Sequence, residues 1–299
     1  MKRGSTRKQS TGEALILDRR MITRSNTLEL DRIKCVGCEL CVAVCPPEAV
    51  EFVPGTLADG RLAQRPTVDI DAAKCNFCGE CVVVCPVNAL SMTIDGEAKV
   101  PVWEYEVFPI LTKEIAWDGS KLPKDKADAV VAVCPTEVIS VDATRTKTGK
   151  VRRVKAVQVD ESDCIYCKQC EVAAPEAFAV THPFEGVVRL NASRCPDGCQ
   201  ACADICPTDA LVMEDETLVL DDRFCLYCGA CLQVCPEPDA LIVRRHRIRH
   251  TPIKSGAWVY ALEKLVSAEL AAEELELKSQ SKRRNVLEYM PGVKKTEEE

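Results

Sequence analysis

The sequence has 299 residues, 46% of them hydrophobic and 20 of them cysteine, with a formal net charge of −7 at pH 7. This length fits about two or three small domains, and the acidic balance argues against a general nucleic-acid-binding protein. No run of about 18 apolar residues is present, so we expect no membrane span. No apolar stretch follows Arg19 and Arg20, so we expect neither a signal peptide nor a twin-arginine export signal, and hence a cytoplasmic protein.

Residues 1–27 have the composition of a basic arm. The first 34 residues hold nine Lys and Arg against four acidic residues, with Ser, Thr and Gln between them. Segments this polar and charged bury too little apolar surface to fold on their own. We therefore expect an extended arm that becomes ordered, if at all, on a partner.

Residues 28–98 contain two copies of a cysteine run with the spacing C-x2-C-x2-C-x3-C followed by proline, and a third copy lies farther along the chain. In bacterial ferredoxins the first three cysteines of this run bind one [4Fe–4S] cluster and the fourth binds the neighbouring cluster. The first three fit a tight loop around one face of a cubane, whereas the fourth lies too far along the chain to close the same cube. The three runs are Cys35, Cys38, Cys41 and Cys45; Cys75, Cys78, Cys81 and Cys85; and Cys225, Cys228, Cys231 and Cys235.

Disulfides and zinc also use many cysteines. A disulfide framework is typical of short secreted chains, and this chain is neither short nor visibly exported. Zinc sites favour two C-x2-C pairs separated by a longer loop. Three intact runs therefore favour iron–sulfur clusters over disulfides, zinc and buried structural thiols.

Each cysteine triplet lies in a repeat that predicts a strand, a cluster loop, a short helix and a second strand. An apolar run ends in Asp or Asn four residues before the first cysteine, and each Cys-Pro is followed by a second short apolar run. Two such halves make one ferredoxin-type domain. Six halves therefore predict an α+β fold of three tandem two-cluster ferredoxin domains, with an N-terminal arm and a C-terminal helix. The Asp and Asn positions are Asp31, Asp71, Asp160, Asn191 and Asp221.

Residues 99–116 link the first and middle domains. They contain Val100-Pro101-Val102-Trp103 and Phe108-Pro109-Ile110. Apolar residues flanked by proline predict an extended connector packed on the protein rather than a flexible linker.

The middle domain, residues 117–185, departs from the repeat. Cys134 has no triplet before it, and Ala174 stands where the triplet Cys164, Cys167 and Cys170 needs a fourth cysteine. Both losses fall on the same predicted cluster, so we expect the surviving four cysteines to hold the other one. By strict spacing the missing triplet falls at Lys124, Ala127 and Val130, although Asp118 as the anchor moves its first position to about Leu122.

The last two-cluster domain, residues 186–245, has a longer first loop. Cys195, Cys199 and Cys202 follow C-x3-C-x2-C, so the loop gains one residue without losing a ligand, and Cys206 completes the run. Six complete halves need 24 cysteines, and subtracting three and one leaves the observed 20, enough for five clusters of four.

The predicted ligand groups cross between the halves of each domain. We call them set one (Cys35, Cys38, Cys41, Cys85), set two (Cys75, Cys78, Cys81, Cys45), set three (Cys134, Cys164, Cys167, Cys170), set four (Cys195, Cys199, Cys202, Cys235) and set five (Cys225, Cys228, Cys231, Cys206).

Residues 246–299 follow the last domain. The stretch 244–254 carries five Lys and Arg and no acid, which favours a local docking or solvated surface over nucleic-acid binding. From Ala257 to about Leu277 apolar residues recur at helical spacing, with Ser255 as the predicted N-cap. This helix either packs on its own domains or contacts another subunit, and the end of the chain is predicted to be disordered.

The sequence contains no motif for another chemistry. It has no G-x-G-x-x-G after a strand, no Walker A loop, no HExxH and no catalytic Ser/His/Asp or Cys/His group. A self-contained reductase and a nucleic-acid-binding metal protein remain distant alternatives.

The cysteine motifs resemble those of the polyferredoxins, in which tandem bacterial-type ferredoxin domains share one chain, over about residues 28–245. Within that group, CPDGCQACADICPTDAL from Cys195 to Leu211 is similar to the polyferredoxin subunit of archaeal formylmethanofuran dehydrogenase. The family form has four domains, whereas this chain has three, one of them degenerate. Polyferredoxins linked to hydrogenase or to heterodisulfide reductase therefore stay as alternatives.

The resemblance implies an electron-transfer subunit rather than an enzyme in itself. Its five [4Fe–4S] clusters would relay single electrons to or from the catalytic subunits of a redox complex. A soluble ferredoxin or another electron-carrier subunit is a further expected partner, whereas nucleic acid and membrane are not. With a single cluster in the middle domain, the chain would still pass electrons through that domain, but it would offer them no second route there.

Overall fold

The structure is a computed structural model and describes residues 5–269, 272 and 276. Short strands alternate with short helices along most of the chain. The strands are β1 (Ser5–Ser10), β2 (Ala14–Arg20), β3 (Ser25–Asp31), β4 (Val50–Val53), β5 (Thr56–Ala58), β6 (Arg61–Gln64), β7 (Thr67–Ile70), β8 (Leu90–Ile94), β9 (Glu97–Ala98), β10 (Glu114–Trp117), β11 (Ile139–Arg145), β12 (Val151–Val159), β13 (Phe178–Thr181), β14 (Phe184–Leu190), β15 (Leu211–Glu214), β16 (Thr217–Leu220) and β17 (Leu241–Ile248). The helices are α1 (Leu40–Val44), α2 (Glu80–Val83), α3 (Pro101–Glu104), α4 (Ala127–Ala132), α5 (Gln169–Ala173), α6 (Ala201–Ile205), α7 (Ala230–Val234) and α8 (Gly256–Leu265).

One antiparallel pairing scheme occurs three times. The outer strands pair as β3–β8, β10–β13 and β14–β17, and the inner strands pair as β4–β7, β11–β12 and β15–β16. We call the three corresponding parts of the chain the first, middle and last segments. This pairing sets two strand–loop–helix–strand halves face to face. The mixture of short helices and antiparallel pairs agrees with the predicted α+β class, although β10 and β14 begin before the predicted boundaries at 117 and 186.

The N-terminal segment is a sheet rather than the extended arm that its composition predicts. Residues 5–27, predicted as an extended arm, form β1, β2 and the start of β3, and this antiparallel sheet continues into β8 and β9. Alternation in β2 puts Leu15 and Leu17 on one face, where both are fully buried against the core of the first segment. The average composition hid this pattern because the basic residues lie between and beyond the apolar ones.

The first and last segments share one apolar core. Leu30 and Ile70 of the first segment pack in the same cluster of buried side chains as Ile205 and Leu226 of the last. The middle segment has a second core built around residues such as Val130, although Ile165 and Cys167 of its cysteine loop belong to the shared cluster. Segments that are distant in sequence are therefore packed together more extensively than the order of the chain suggests.

The connector and the C-terminal helix form a third core. Phe108 from the connector packs edge-on against Trp258 of α8, with 5.2 Å between ring centroids. The connector is packed, as predicted, but α3 adds a helical turn to it, begun by a proline. Ser255 caps α8 by accepting a hydrogen bond from the Trp258 N–H, as predicted.

Helix α8 packs against α1 and the connector of its own chain, which is one of the two predicted alternatives. It ends at Leu265, and Ala268, Glu269, Ala272 and Glu276 are again helical, within the range to about Leu277 that was predicted as helix. The remaining residues of 270–299, including the end predicted to be disordered, lie outside the described residues. Within the described chain, no helix has the length and apolarity needed to cross a membrane.

We predict that Leu17→Ala lowers the free energy of unfolding by about 2–5 kcal/mol, since it leaves a cavity beneath β2. Leu17 is 0% exposed, whereas Ile22, at the turn between β2 and β3, is 100% exposed. Ile22→Ala is therefore the matched control, with an expected change within about 0.5 kcal/mol. Anaerobic denaturant unfolding measures both, and equal midpoints for the two variants would contradict the placement of β2 in the core.

Candidate metal centres

The cysteine triplets fold into loops that turn sharply at their second cysteine. In four of the five loops, the residues directly before and after that cysteine have positive φ. Residues other than glycine adopt this conformation at a cost of about 1–2 kcal/mol. The surroundings therefore impose the loop shape on several bulky residues. The flanking residues are Gly37, Glu39, Phe77, Gly79, Tyr166, Lys168, Tyr227 and Gly229.

The aspartates four residues before the first cysteines start these loops. Oδ1 of Asp31 accepts hydrogen bonds from the backbone N–H groups of Ile33 and Lys34. Asp71, Asp160 and Asp221 accept the N–H two residues on in the same way. Short polar side chains close turns by such bonds, so the repeated Asp has a structural role in orienting the loop.

The longer loop of set four is braced by the first segment. Gly198 has positive φ, but Gln200, after the second cysteine, does not. The Gln200 N–H instead donates to the carbonyl of Gly60 in the β5–β6 turn, at 2.8 Å. Beside it, Asp204 accepts two hydrogen bonds from the Arg61 guanidinium, each 3.0 Å long. The β5–β6 hairpin thus takes the place of local loop geometry in holding this triplet.

Three of the predicted sets each line a cavity. In each case three cysteines come from one half of a segment and the fourth from the other half, and most of the remaining lining is apolar. These cavities are lined by set one (Cys35, Cys38, Cys41, Cys85), set three (Cys134, Cys164, Cys167, Cys170) and set five (Cys206, Cys225, Cys228, Cys231).

The other two sets are also brought together. Burial raises the pKa of Cys81 well above its usual value, and the neighbouring thiols of set two (Cys78, Cys75 and Cys45) add to the shift. Burial likewise raises the pKa of Cys202 to about 12, with contributions from the other members of set four (Cys235, Cys195 and Cys199). The fourth cysteine of each set therefore lies near the triplet of the opposite half.

This donor arrangement fits a four-iron cluster. None of the twenty cysteines forms a disulfide. Among the residues that the structure describes, no three His, Cys, Asp or Glu side chains converge closely enough to hold a single metal ion. The thiols surround a space rather than a point, and four sulfur ligands are what a [4Fe–4S] cluster requires.

Burial disfavours the thiolate form that such a cluster needs. It raises the pKa of Cys78 and Cys167 to about 11 and that of Cys225 to about 12. Backbone N–H groups oppose this effect at some sulfurs, as where Ala89 donates to Cys85 Sγ at 3.3 Å. Positive iron would supply the larger compensation, since coordination deprotonates a thiol.

The positions of the lost set are filled with apolar side chains. Oδ1 of Asp118 accepts the Ser120 N–H, so the usual turn is kept and Leu122 occupies the first ligand position. Lys124, the strict-spacing alternative, is exposed. The four positions hold the buried residues Leu122, Ala127, Val130 and Ala174, all in one core cluster.

Several residues outside the cysteine runs contact the cysteine loops, and the sequence patterns did not indicate them. The Arg19 guanidinium donates to the Cys75 carbonyl at 2.6 Å and lies 4.5 Å from the centroid of the Phe77 ring. Asn88 donates to the Cys164 carbonyl at 2.9 Å and accepts from Lys113 at 3.1 Å, which joins the first and middle segments. These contacts link distant parts of the chain and leave no local motif.

A scan of protein families matches residues 34–89 and 187–238 to the 4Fe-4S dicluster domain. The polyferredoxin-like subunit of an aliphatic sulfonate oxidoreductase from Pyrococcus furiosus is 32% identical over 27% of this chain and 53% of its own length. The polyferredoxin protein MvhB from Methanothermobacter marburgensis is 31% identical over 33% of this chain and 25% of its own. The matches thus span about half or less of these curated relatives.

A solved structure matches the chain far more completely. It is a chain of the formate dehydrogenase–heterodisulfide reductase–formylmethanofuran dehydrogenase complex from Methanospirillum hungatei. The TM-score is 0.74 at 28% sequence identity, over 89% of this chain and 93% of that one. Residues 34–89 and 187–238 are therefore 4Fe–4S dicluster domains, and the predicted resemblance to polyferredoxins is confirmed.

We predict that Val130→Ala lowers the free energy of unfolding by about 1–3 kcal/mol, because it removes two methyl groups from the core that fills the lost set. The next residue on α4, Val131, is 38% exposed and Val130 is 0% exposed. Val131→Ala therefore makes the same change in helix propensity without a cavity, and we expect it to leave stability within about 0.5 kcal/mol. Thermal unfolding of both anaerobically purified variants measures the difference in stability. Equal stability of the two variants would contradict the apolar filling of the lost set.

Proposed function

We propose that this chain is the iron–sulfur electron-transfer subunit of a multi-subunit oxidoreductase, relaying single electrons through five [4Fe–4S] clusters. Sets one to five would each hold one cluster through four thiolates. The observation that carries the proposal is the way in which cysteines from two opposed halves surround one apolar cavity, as in sets one, three and five. The two dicluster matches support it independently.

The proposed architecture is three tandem ferredoxin-type domains, with the middle one reduced to a single cluster. The strand pairing that occurs three times along the chain supports this division. So does the apolar filling at Leu122, Val130 and Ala174, which leaves the middle domain one complete set of cysteines rather than two.

When bound, each cluster supplies a centre that gains or loses one electron without breaking a bond. The chain's own residues would hold these centres and set their surroundings. The backbone N–H groups of Ala49, Ala89 and Tyr227 donate to sulfur, which favours the more negative state of a thiolate-bound centre. The apolar lining excludes water. Helices α1, α6 and α7 each contain a ligand of one set and end at a C-cap cysteine of another, so neighbouring centres would be held at a fixed spacing.

The proposed partners are catalytic subunits, with formylmethanofuran dehydrogenase first among the candidate enzymes. The length-wide structural match supports a place in an assembly of this kind. The Methanospirillum hungatei complex also includes heterodisulfide reductase, which makes that enzyme the second candidate.

Metal content tests the number of clusters. The anaerobically purified chain should carry about twenty irons, from five cubanes of four. Cys134→Ala should lower the count by about four, because Cys134 is the one ligand that set three takes from the opposite half of its domain. Ala174→Cys is the matched control: it restores one thiol to a position whose partners are apolar, so iron should stay near twenty. About sixteen irons in the unmodified chain would contradict the role of set three, and abundant zinc with little iron would contradict the whole proposal.

Anaerobic affinity purification from the native source tests the partners. We expect a tagged chain to co-purify with the catalytic subunits of a redox enzyme, which mass spectrometry identifies. The Cys134→Ala chain serves as the comparison, since loss of one internal cluster should leave assembly intact. A chain that purifies alone with a bound flavin and reduces a substrate by itself would instead be a self-contained reductase.

A further inference from the structure

The first and last segments meet at their cysteine loops, although more than a hundred residues separate them in sequence. Cys38 of set one and Tyr227, beside Cys228 of set five, pack against the same apolar core. Burial raises the pKa of Cys38, and Cys228 adds more to this shift than Cys41 or Cys85 of its own set. Set one therefore has a close neighbour in the other dicluster domain.

Arg245 of β17 lies at this meeting point. Its Nη1 donates to the carbonyls of Tyr227 at 2.6 Å and Cys228 at 3.3 Å, and its Nε donates to the carbonyl of Leu265 at 2.6 Å. Leu265 is the last residue of α8, where helix carbonyls lack partners within the helix and attract positive charge. One side chain thus joins the loop of set five to the C-terminus of α8.

Helix α8 carries this connection to the first segment. Its buried residues Trp258, Ala261 and Leu265 pack in one core with Leu40 and Val44 of α1, the helix that follows the Cys38 loop. The guanidinium also lies near both Cys38 and Cys228, whose negative charges act to raise its pKa against the lowering caused by burial. Arg245 is thus a cation held between two cysteine sets by contacts with the backbone of one and the support of the other.

We propose that Arg245 is the positioning residue of a direct electron-transfer contact between the first and last dicluster domains, holding the Cys38 and Cys228 loops together and placing positive charge between them. This inference rests on the proposed function. In the transfer, the donor centre is oxidised by one electron and the acceptor centre is reduced by one, and no bond or proton changes place. The middle domain is then a side branch rather than an obligatory link.

The middle segment contacts both outer segments, as expected for a side branch of the electron-transfer path. Asn88 bonds to the Cys164 carbonyl from the first segment, and Gln169 donates to the Thr208 carbonyl of the last segment at 2.9 Å. Set three thus borders both outer segments, while the outer segments also share a core and the Arg245 contact. Removal of set three leaves the direct contact in place.

The test compares anaerobically purified, iron-loaded variants of the full chain. Arg245→Met removes the charge and the hydrogen-bonding fork, whereas Arg245→Lys keeps the charge. Arg244→Met is the matched control, because Arg244 is the preceding residue of the same strand, is exposed and points to the opposite face. Iron content and thermal unfolding of each variant establish that it is folded and loaded, and redox titration followed by electron paramagnetic resonance reads the two sets.

A positive charge between two negative centres stabilises their reduced states. At a fixed ambient potential, we expect the reduced-to-oxidised ratio of sets one and five to fall about tenfold in Arg245→Met, which is ~59 mV for one electron. The magnetic coupling between the two sets should weaken in the same variant. Arg245→Lys should keep the ratio within about twofold of the unmodified chain, as should Arg244→Met. Equal ratios and coupling in Arg245→Met and Arg244→Met would overturn the proposal.

A second measurement does not depend on any Arg245 variant. In the Cys134→Ala chain, rapid reduction with dithionite followed by freeze-quenched electron paramagnetic resonance should show the outer domains equilibrating at the rate of the unmodified chain. A rate that falls about tenfold or more would mean that electrons need the middle domain, and would overturn the direct contact. If the Cys134→Ala chain carries iron and relays electrons but equilibrates slowly, the direct contact is contradicted and the proposed function is not. If the unmodified chain carries no iron, both are contradicted.

Discussion

The sharing of thiols between opposed halves is the constraint on which the rest of the structure depends. A triplet on one loop supplies only three sulfurs, so the fourth has to arrive from a second copy of the same half. In this structure the two halves meet through antiparallel strand pairs, and the helices between them are short. The pairings β3–β8, β10–β13 and β14–β17 provide that arrangement three times. The strand pairing, the helix length and the cysteine spacing therefore act together to bring four sulfurs to each site.

Burial of many sulfur ligands creates a second constraint, which is charge. Thiolates in apolar surroundings are costly, and bound clusters add negative charge to a chain that is already acidic. Three of the basic residues that the structure brings to the loops are Arg19 from the N-terminal sheet, Lys113 from the connector and Arg245 from the last strand of the repeats. The N-terminal sheet and the connector thus do more than extend the fold, because they place cations beside the cysteine loops.

The cysteine runs could be recognised in the sequence because the spacing within each run is local, whereas the grouping of cysteines from opposed halves into ligand sets stays a prediction. Asp31 and Cys35 lie in one turn, and the spacing from Cys41 to Cys45 is the length of one short helix. The N-terminal prediction was wrong because composition was averaged over residues whose alternation carried the information, as Leu15 and Leu17 show. The meeting of the first and last segments could not be predicted, since the Arg61–Asp204 pair and the Arg245–Leu265 bond have no repeat or spacing to mark them.

The middle segment shows how a fold of this kind can lose a cluster and persist. A cluster links two halves through four bonds, and the positions that would supply them here hold Leu122, Ala127, Val130 and Ala174 in a continuous core. Hydrophobic burial thus replaces ligation as the force that holds α4 and α5 together. Such a replacement carries no electron, so it is tolerable only where another route connects the remaining centres. In the proposed relay, the Arg245 contact between the outer segments supplies that route.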